Sequence, residues 1–219
     1  MTTLDILGGI LEGLRVTVLV TLYGMLWAVP FALIMGVWQH FARGPARLAA
    51  TCLIEFWRSS PVLILLFMLY YSLPSFGVRL SAMTVGAMAL GLNIGGYGSQ
   101  AVRAALQSLD SGQVEAGRAL GLRRLHILVL IELPQAMAAM TPTFVNQFIQ
   151  LVKGTSIVSL ITLTDMTFRA KQIAELEYNP VGIYTALMLA YLILCYPATV
   201  FGRYLERRVQ VPQRGNREI

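Results

Sequence analysis

The chain has 219 residues, of which 56% are apolar and 13% charged, and its mean hydropathy is +0.65. A soluble domain carries about twice that share of charge, so an ordinary cytosolic protein is excluded. The net charge of +6 needs no nucleic acid to explain it, because the basic residues cluster between apolar runs.

No Asp, Glu, Lys or Arg occurs in 16–42, 59–78, 80–102, 133–152 or 178–202. A hydrocarbon core takes about 20 apolar residues as a helix. In lipid a helix is the only open-chain form that pairs all of its own backbone. The expectation is an all-α integral membrane protein of about five spans, one transmembrane domain over 1–219. The opening MTTLDILGG lacks the positive start and small-residue cleavage site of a signal peptide, so the first span is expected to direct insertion.

In chain order, span one runs about 14–38 and span two about 49–73. Span three runs about 82–106 and includes GLNIGGYG, whose Gly91 and Gly95 have the small-xxx-small spacing of a helix-packing face. Pro134 and Pro142 each offer an end to an interfacial segment, which places span four at about 142–164 and Lys153 near mid-membrane. Span five runs about 181–203, with Pro197 as a candidate kink. Cys52 and Cys195 lie in apolar context, far apart in sequence, and read as packing residues. His40 and His126 have no carboxylate or cysteine company, so neither a metal nor a catalytic role is expected.

Short loops rich in Lys and Arg stay cytoplasmic. Arg43 and Arg47 follow span one. Arg103, Arg118, Arg123 and Arg124 follow span three, and Arg203, Arg207, Arg208, Arg214 and Arg217 follow span five. All three groups share one side if five spans start with the N-terminus outside.

The third-loop segment EAGRALGLRRLHILVLIELP, 115–134, has fixed punctuation: Glu115-Ala116-Gly117, three residues, Gly121, nine residues, then Ile131-Glu132-Leu133-Pro134. It resembles the EAA loop of ABC importer permeases, with Gly117 in place of the usual alanine. EFWRSSPVLILLF at 55–67 and VNQFIQLVKGTSIVSLITLTDM at 145–166 are similar to two further segments of the polar amino acid (histidine, glutamate, arginine, opine) permeases. The three lie between 55 and 166, about half of the chain, in the family's order.

The resemblance implies a type I importer permease fold in a bacterial inner membrane, with cytoplasmic coupling helices at about 112–134 that dock on a separate ATPase dimer. It implies a second permease subunit, identical or similar, and an external substrate-binding protein. ATP and Mg would be held by the ATPase, with no cofactor on this chain; the sequence itself has no phosphate-binding loop. Glu115, Ala116, Gly117, Arg118, Ala119, Gly121, Arg123 and Arg124 are the implied coupling residues. Ala116, Ala119 and Gly121 are expected to allow close helix approach, and Glu115 to sit near a helix start.

Ionisable groups inside a membrane are functional candidates. Arg58, with Glu55 one turn earlier and Pro61 after it, reads equally as an intrahelical pair on a kinked helix. Lys153, with the hydroxyls of Thr155 and Ser156, suits a substrate carboxylate, and Gly154 offers a helix break. The competing reading pairs Lys153 with Glu132 or Glu55. Asn146 and Gln150 share a helix face, as do Asn93, Tyr97 and Gln100; such amides also serve as interhelical contacts. Gln100 stands where many of these permeases carry an acid, which leaves the substrate's charge open. The expected function is half of an alternating-access pathway for a polar amino acid or related zwitterion. The alternatives are a non-transporting regulatory homologue and an importer of another small polar solute. An intramembrane enzyme would need paired membrane carboxylates that the sequence lacks.

The topology is directly testable. With five spans and the N-terminus outside, an impermeant thiol reagent added outside intact cells should label Ser75→Cys and spare Gly44→Cys; the reverse pattern refutes the assignment.

Overall fold

The computed structural model describes residues 3–177 and 179–210, with side chains at 5–177 and 179–205. Every regular element among these residues is helical: α1 (Thr3–Leu11), α2 (Leu14–Phe41), α3 (Gly44–Ser59), α4 (Val62–Phe67), α5 (Ala82–Gln107), α6 (Ser111–Ala119), α7 (Arg124–Ile127), α8 (Leu133–Gly154), α9 (Met166–Leu176) and α10 (Pro180–Gln210). Tighter or wider turns extend three of them. A π turn at Met68–Ser72 and a 3-10 turn at Leu73–Phe76 follow α4. A π turn at Leu128–Glu132 joins α7 to α8, and a 3-10 segment at Thr155–Ile161 follows α8.

α2 and α5 form the spine. On α2, Gly24, Ala28, Ala32 and Gly36 recur every fourth residue and are all buried. Gly91, Gly95 and Gly98 face them from α5. A Cβ at Gly91 would lie 2.4 Å from the Gly24 carbonyl oxygen, one at Gly95 2.8 Å from that of Ala28, and one at Gly36 2.7 Å from that of Ser99. The expected packing face is therefore present, and it brings two backbones together where no side chain fits.

The ends of α2 fix the ends of the molecule. At its start, a Cβ on Gly13 would meet the Asp165 backbone at 2.4 Å, and the Met166 N–H donates to Thr17 Oγ1 at 3.3 Å. At its last residue, the Phe41 ring lies 4.6 Å from the Arg124 guanidinium. The third loop and α9 thus lie at opposite ends of one 28-residue helix, about 42 Å long at 1.5 Å per residue. α1, α9 and the start of α10 close one end around Ile10, Met166 and Ile183.

Two expectations are corrected. Span two is not one helix: Gly44–Ser59 and Val62–Phe76 meet at 95°. Pro61 forces this, since the residue before proline avoids the helical region and Ser60 is extended at ψ 138. Span four does not begin at Pro142. Helix runs on from Arg124 through Pro134 and Pro142. The π turn ends just before Pro134 and redistributes the backbone bonds that a proline interrupts.

Arg124–Ile161, Asp5–Phe41 and Pro180–Leu205 are long and apolar enough to cross a membrane, and the bent pair makes a fourth such unit. α5 has the length, 26 residues, but is too rich in glycine and polar residues to count by apolarity. Its environment is other helices: fifteen of its residues are buried, counted from Val85 to Leu106.

Candidate coupling loop and transport pathway

α6 starts at Asp110, whose carboxylate accepts from the Gly112 N–H at 2.8 Å, and it carries no acid in its first turn. Glu115 lies mid-helix, so the expected dipole role falls to Asp110 instead. The helix stops at Gly121, which is left-handed at φ +75. The Leu122 N–H bonds back to the Gly117 carbonyl at 3.0 Å and the Gly121 N–H to that of Arg118 at 2.9 Å, the paired closure of a glycine C-cap. A Cβ at Gly121 would touch nothing within 4 Å, so its glycine is needed for conformation, not for close approach.

Close approach occurs at Gly117, where a Cβ would lie 2.9 Å from Ile127 Cγ1. This buried glycine lets α6 fold onto α7, and it is the position at which the chain departs from the EAA pattern. Ala116 and Ala119 are exposed together with Glu115, Arg118 and Arg123. Leu120 and Leu125 beside them are 79% and 68% exposed. The hairpin therefore presents two large apolar side chains among charged ones at one end of the molecule.

Arg124 differs from its neighbours. It forms a bidentate ion pair with Glu132, one arm at 3.0 Å, and the Glu132 side chain is only 4% exposed. It belongs to the internal structure of the hairpin, not to its free face. Eight residues leave two side chains about 80° apart around an ideal α-helix. The intervening π turn winds by less per residue and brings the pair back to one side.

The candidates on α3 and α5 meet at the break before Pro61. Asn93 donates to the Trp57 carbonyl at 2.8 Å and Tyr97 to that of Arg58 at 3.2 Å, two acceptors left open by the end of α3. Arg58 pairs with Glu55 at 2.7 Å, as the intrahelical reading expected, and lies 5.8 Å from the Tyr97 ring. Gln100 donates to Gln39 at 2.9 Å, which donates to Thr51 at 2.9 Å. The polar face of α5 thus holds the broken span in place.

The α8 candidates lie elsewhere, and the two sets do not converge within this chain. Lys153 is exposed and lines a cavity of ≈ 520 Å³ with Ser156, Tyr184, Tyr191 and Tyr196. Neither Glu132 nor Glu55 is its partner, since each is taken by an arginine. Asn146 lines a neighbouring cavity of ≈ 230 Å³ with Arg203, and Gln150 is exposed on the same face. The two hydroxyls do not point as expected: Thr155 is buried and bonds back to the Val152 carbonyl at 2.7 Å, and Ser156 to that of Lys153 at 2.9 Å. Gly154 does not break the helix, which tightens into a 3-10 segment. Cys195 is packed as expected, whereas Cys52 is exposed.

Asp165 escaped sequence reasoning. It is fully buried and caps α9, accepting from the Thr167 and Phe168 N–H groups at 3.2 and 2.9 Å and from Tyr191 Oη at 3.3 Å. Burial raises its pKa, against the lowering effect of those hydrogen bonds. The available signal was an aspartate just before a helical run. No group of three or more potential metal ligands occurs among the described residues.

Residues 28–211 match the family described as binding-protein-dependent transport system inner membrane component. The chain is 35% identical to a probable amino-acid ABC transporter permease of Sinorhizobium fredii, over 94% of its own length and 89% of the relative's. It is 29% identical to a probable glutamine ABC transporter permease of Bacillus subtilis, over 91% and 93%. The crystal structure of an amino acid ABC transporter with histidines superposes with a TM-score of 0.77 at 30% identity, covering 93% of each chain. An inward-facing methionine transporter shares the fold, with a TM-score of 0.71 at 22% identity and coverage of 90% and 93%. The chain belongs to the family of inner-membrane permease subunits of binding-protein-dependent transport systems. Its fold is that of the ABC importer permeases, and it is a pore subunit, not a catalytic one.

The hairpin's geometry predicts a local effect. Gly121→Val places a branched side chain in the left-handed region, at a cost of about 1–2 kcal/mol. Hydrogen exchange at the Leu122 amide should accelerate by about fivefold to thirtyfold; unchanged exchange would show that the cap does not depend on glycine.

Proposed function

We propose that this subunit imports a polar amino acid, or a related zwitterion, as half of an alternating-access pathway. The observation that carries this reading is Lys153, an exposed ammonium on a membrane helix with no carboxylate partner among the described residues, lining a cavity that also holds three tyrosines. A buried or lipid-facing charge is costly unless something pairs with it, and a substrate carboxylate meets that need. The relatives' names support an amino acid as the cargo.

In this proposal the α6–α7 hairpin docks through Glu115, Ala116, Arg118, Ala119, Leu120, Arg123 and Leu125 on an ATPase dimer that holds ATP and Mg. A second permease subunit and an external binding protein complete the complex. ATP binding draws the two hairpins together and turns the cavity outward, and hydrolysis resets it. Asn146, Gln150 and Ser156 serve the pathway beside Lys153. Arg58, Asn93, Tyr97 and Gln100 act at the break of the second span, where their contacts suit holding the helices more than holding a solute. Thr155 contributes packing.

Uptake by proteoliposomes containing the permease, its ATPase and its binding protein tests the proposal, with radiolabelled L-glutamine, L-glutamate, L-cystine, L-histidine and L-arginine as the panel. At least one should enter in an ATP-dependent manner. Lys153→Met should weaken its apparent affinity by about tenfold to a hundredfold, the usual range for a charge-assisted hydrogen bond, and Lys153→Arg should keep part of that because only geometry changes. Unchanged affinity in Lys153→Met would remove Lys153 from the pathway.

A further inference from the structure

We propose that Arg124 and Glu132 form a latch that transmits movement of the coupling hairpin into α8 and α2, which makes both positioning residues for transport. This rests on the hairpin being the ATPase contact. Three elements meet at the Arg124 guanidinium. Its own backbone opens α7. Its fork grips both oxygens of Glu132, the residue at which the π turn passes into α8. Its Cζ lies over the ring of Phe41, the last residue of α2, 4.6 Å from the ring centroid.

A planar guanidinium held bidentately is fixed in direction as well as position, and its place over an aromatic ring adds a cation–π attraction. Opening the latch would leave the Glu132 carboxylate, 4% exposed, buried without its partner, a costly state. The hairpin therefore cannot tilt independently of these two helices. Behind Arg124, Ile127 is fully buried and packs on Gly117, so a push on α6 reaches α7 through a close-packed contact. Beyond the latch, α8 carries Lys153 and α2 carries the Gly24–Gly36 stripe against α5. The route from the exposed hairpin to the membrane cavity is a chain of packed or ion-paired contacts, the physical kind of connection that coupling between distant sites requires.

The test uses the assembled permease–ATPase complex in nanodiscs and the purified binding protein, saturated with whichever L-amino acid of the panel raises its melting temperature most. Arg124→Lys keeps the positive charge beside Glu132, so the subunit folds, but it loses the fork. The ATPase should still co-purify, while stimulation of hydrolysis by the loaded binding protein falls by about fivefold or more, the range of typical couplings between sites. The exchange Arg124→Glu with Glu132→Arg restores the pair and should recover stimulation at least in part, which a requirement for Arg124 as an ATPase contact would not allow. Full stimulation in Arg124→Lys overturns the latch. Loss of the ATPase from Arg124→Lys also overturns it, by assigning Arg124 to docking. If the wild-type permease itself holds no ATPase, the reading of the hairpin fails, and that result is distinct from both.

Discussion

The contact between α2 and α5 is the constraint on which the rest of the structure depends. Four small residues on one helix meet a glycine-rich face on the other, and carbonyl oxygens of each helix lie where a Cβ of the other would stand. Membrane helices gain little by leaving lipid for one another, so close backbone packing must supply what hydrophobic burial supplies in water. That requirement explains why α5, unlike α2, α8 and α10, is not apolar enough to count as a span by composition. Fifteen of its 26 residues are buried, and its amide and phenol groups are paired with α3 and α2, which lets it carry polar groups that a lipid-facing helix could not.

From this spine the functional parts take their places. One face of α5 offers Asn93 and Tyr97 to the Trp57 and Arg58 carbonyls beside the break before Pro61, and Gln100 to Gln39 of α2, which in turn bonds Thr51 of the broken span. The two ends of α2 anchor α9 through Thr17 and the α6–α7 hairpin through Phe41. α8 packs on α5, with Gln147 over Gly98, and so carries Lys153 at a position set by the same pair of helices. A permease must move its cavity while keeping its helices paired in lipid, and a rigid seam with moving parts at its edges meets both demands.

Much of this was legible in the sequence. The charge-free runs marked the long helices, the Gly91–Gly95 spacing marked the packing face, and the 115–134 punctuation marked the hairpin. What escaped was set by contacts between elements. Ser60-Pro61 signalled a kink, but a 95° turn needs partners for the freed carbonyls, and these come from a helix some 36 residues away. Arg124 and Glu132 did not read as a pair, because eight residues of regular helix would not align them and the π turn has no sequence signature. The polar faces of α5 and α8 looked like one pathway, whereas packing turned the first toward α3 and left the second open. Gly121 was expected to allow close helix approach, but the structure uses it for a left-handed backbone, and close approach belongs to Gly117.

The seam can be tested without reference to substrate. Gly91→Ala adds one Cβ at 2.4 Å from the Gly24 carbonyl oxygen, against rigid backbone, whereas Gly8→Ala adds one where nothing lies within 4 Å. Thermal unfolding of the two purified variants in the same detergent compares them directly. If the α2–α5 contact positions the rest, Gly91→Ala melts at a clearly lower temperature, by the loss expected of overpacking, about 1–3 kcal/mol, while Gly8→Ala melts like the parent or slightly above it. Equal melting temperatures for Gly91→Ala and the parent would contradict a seam in close backbone contact.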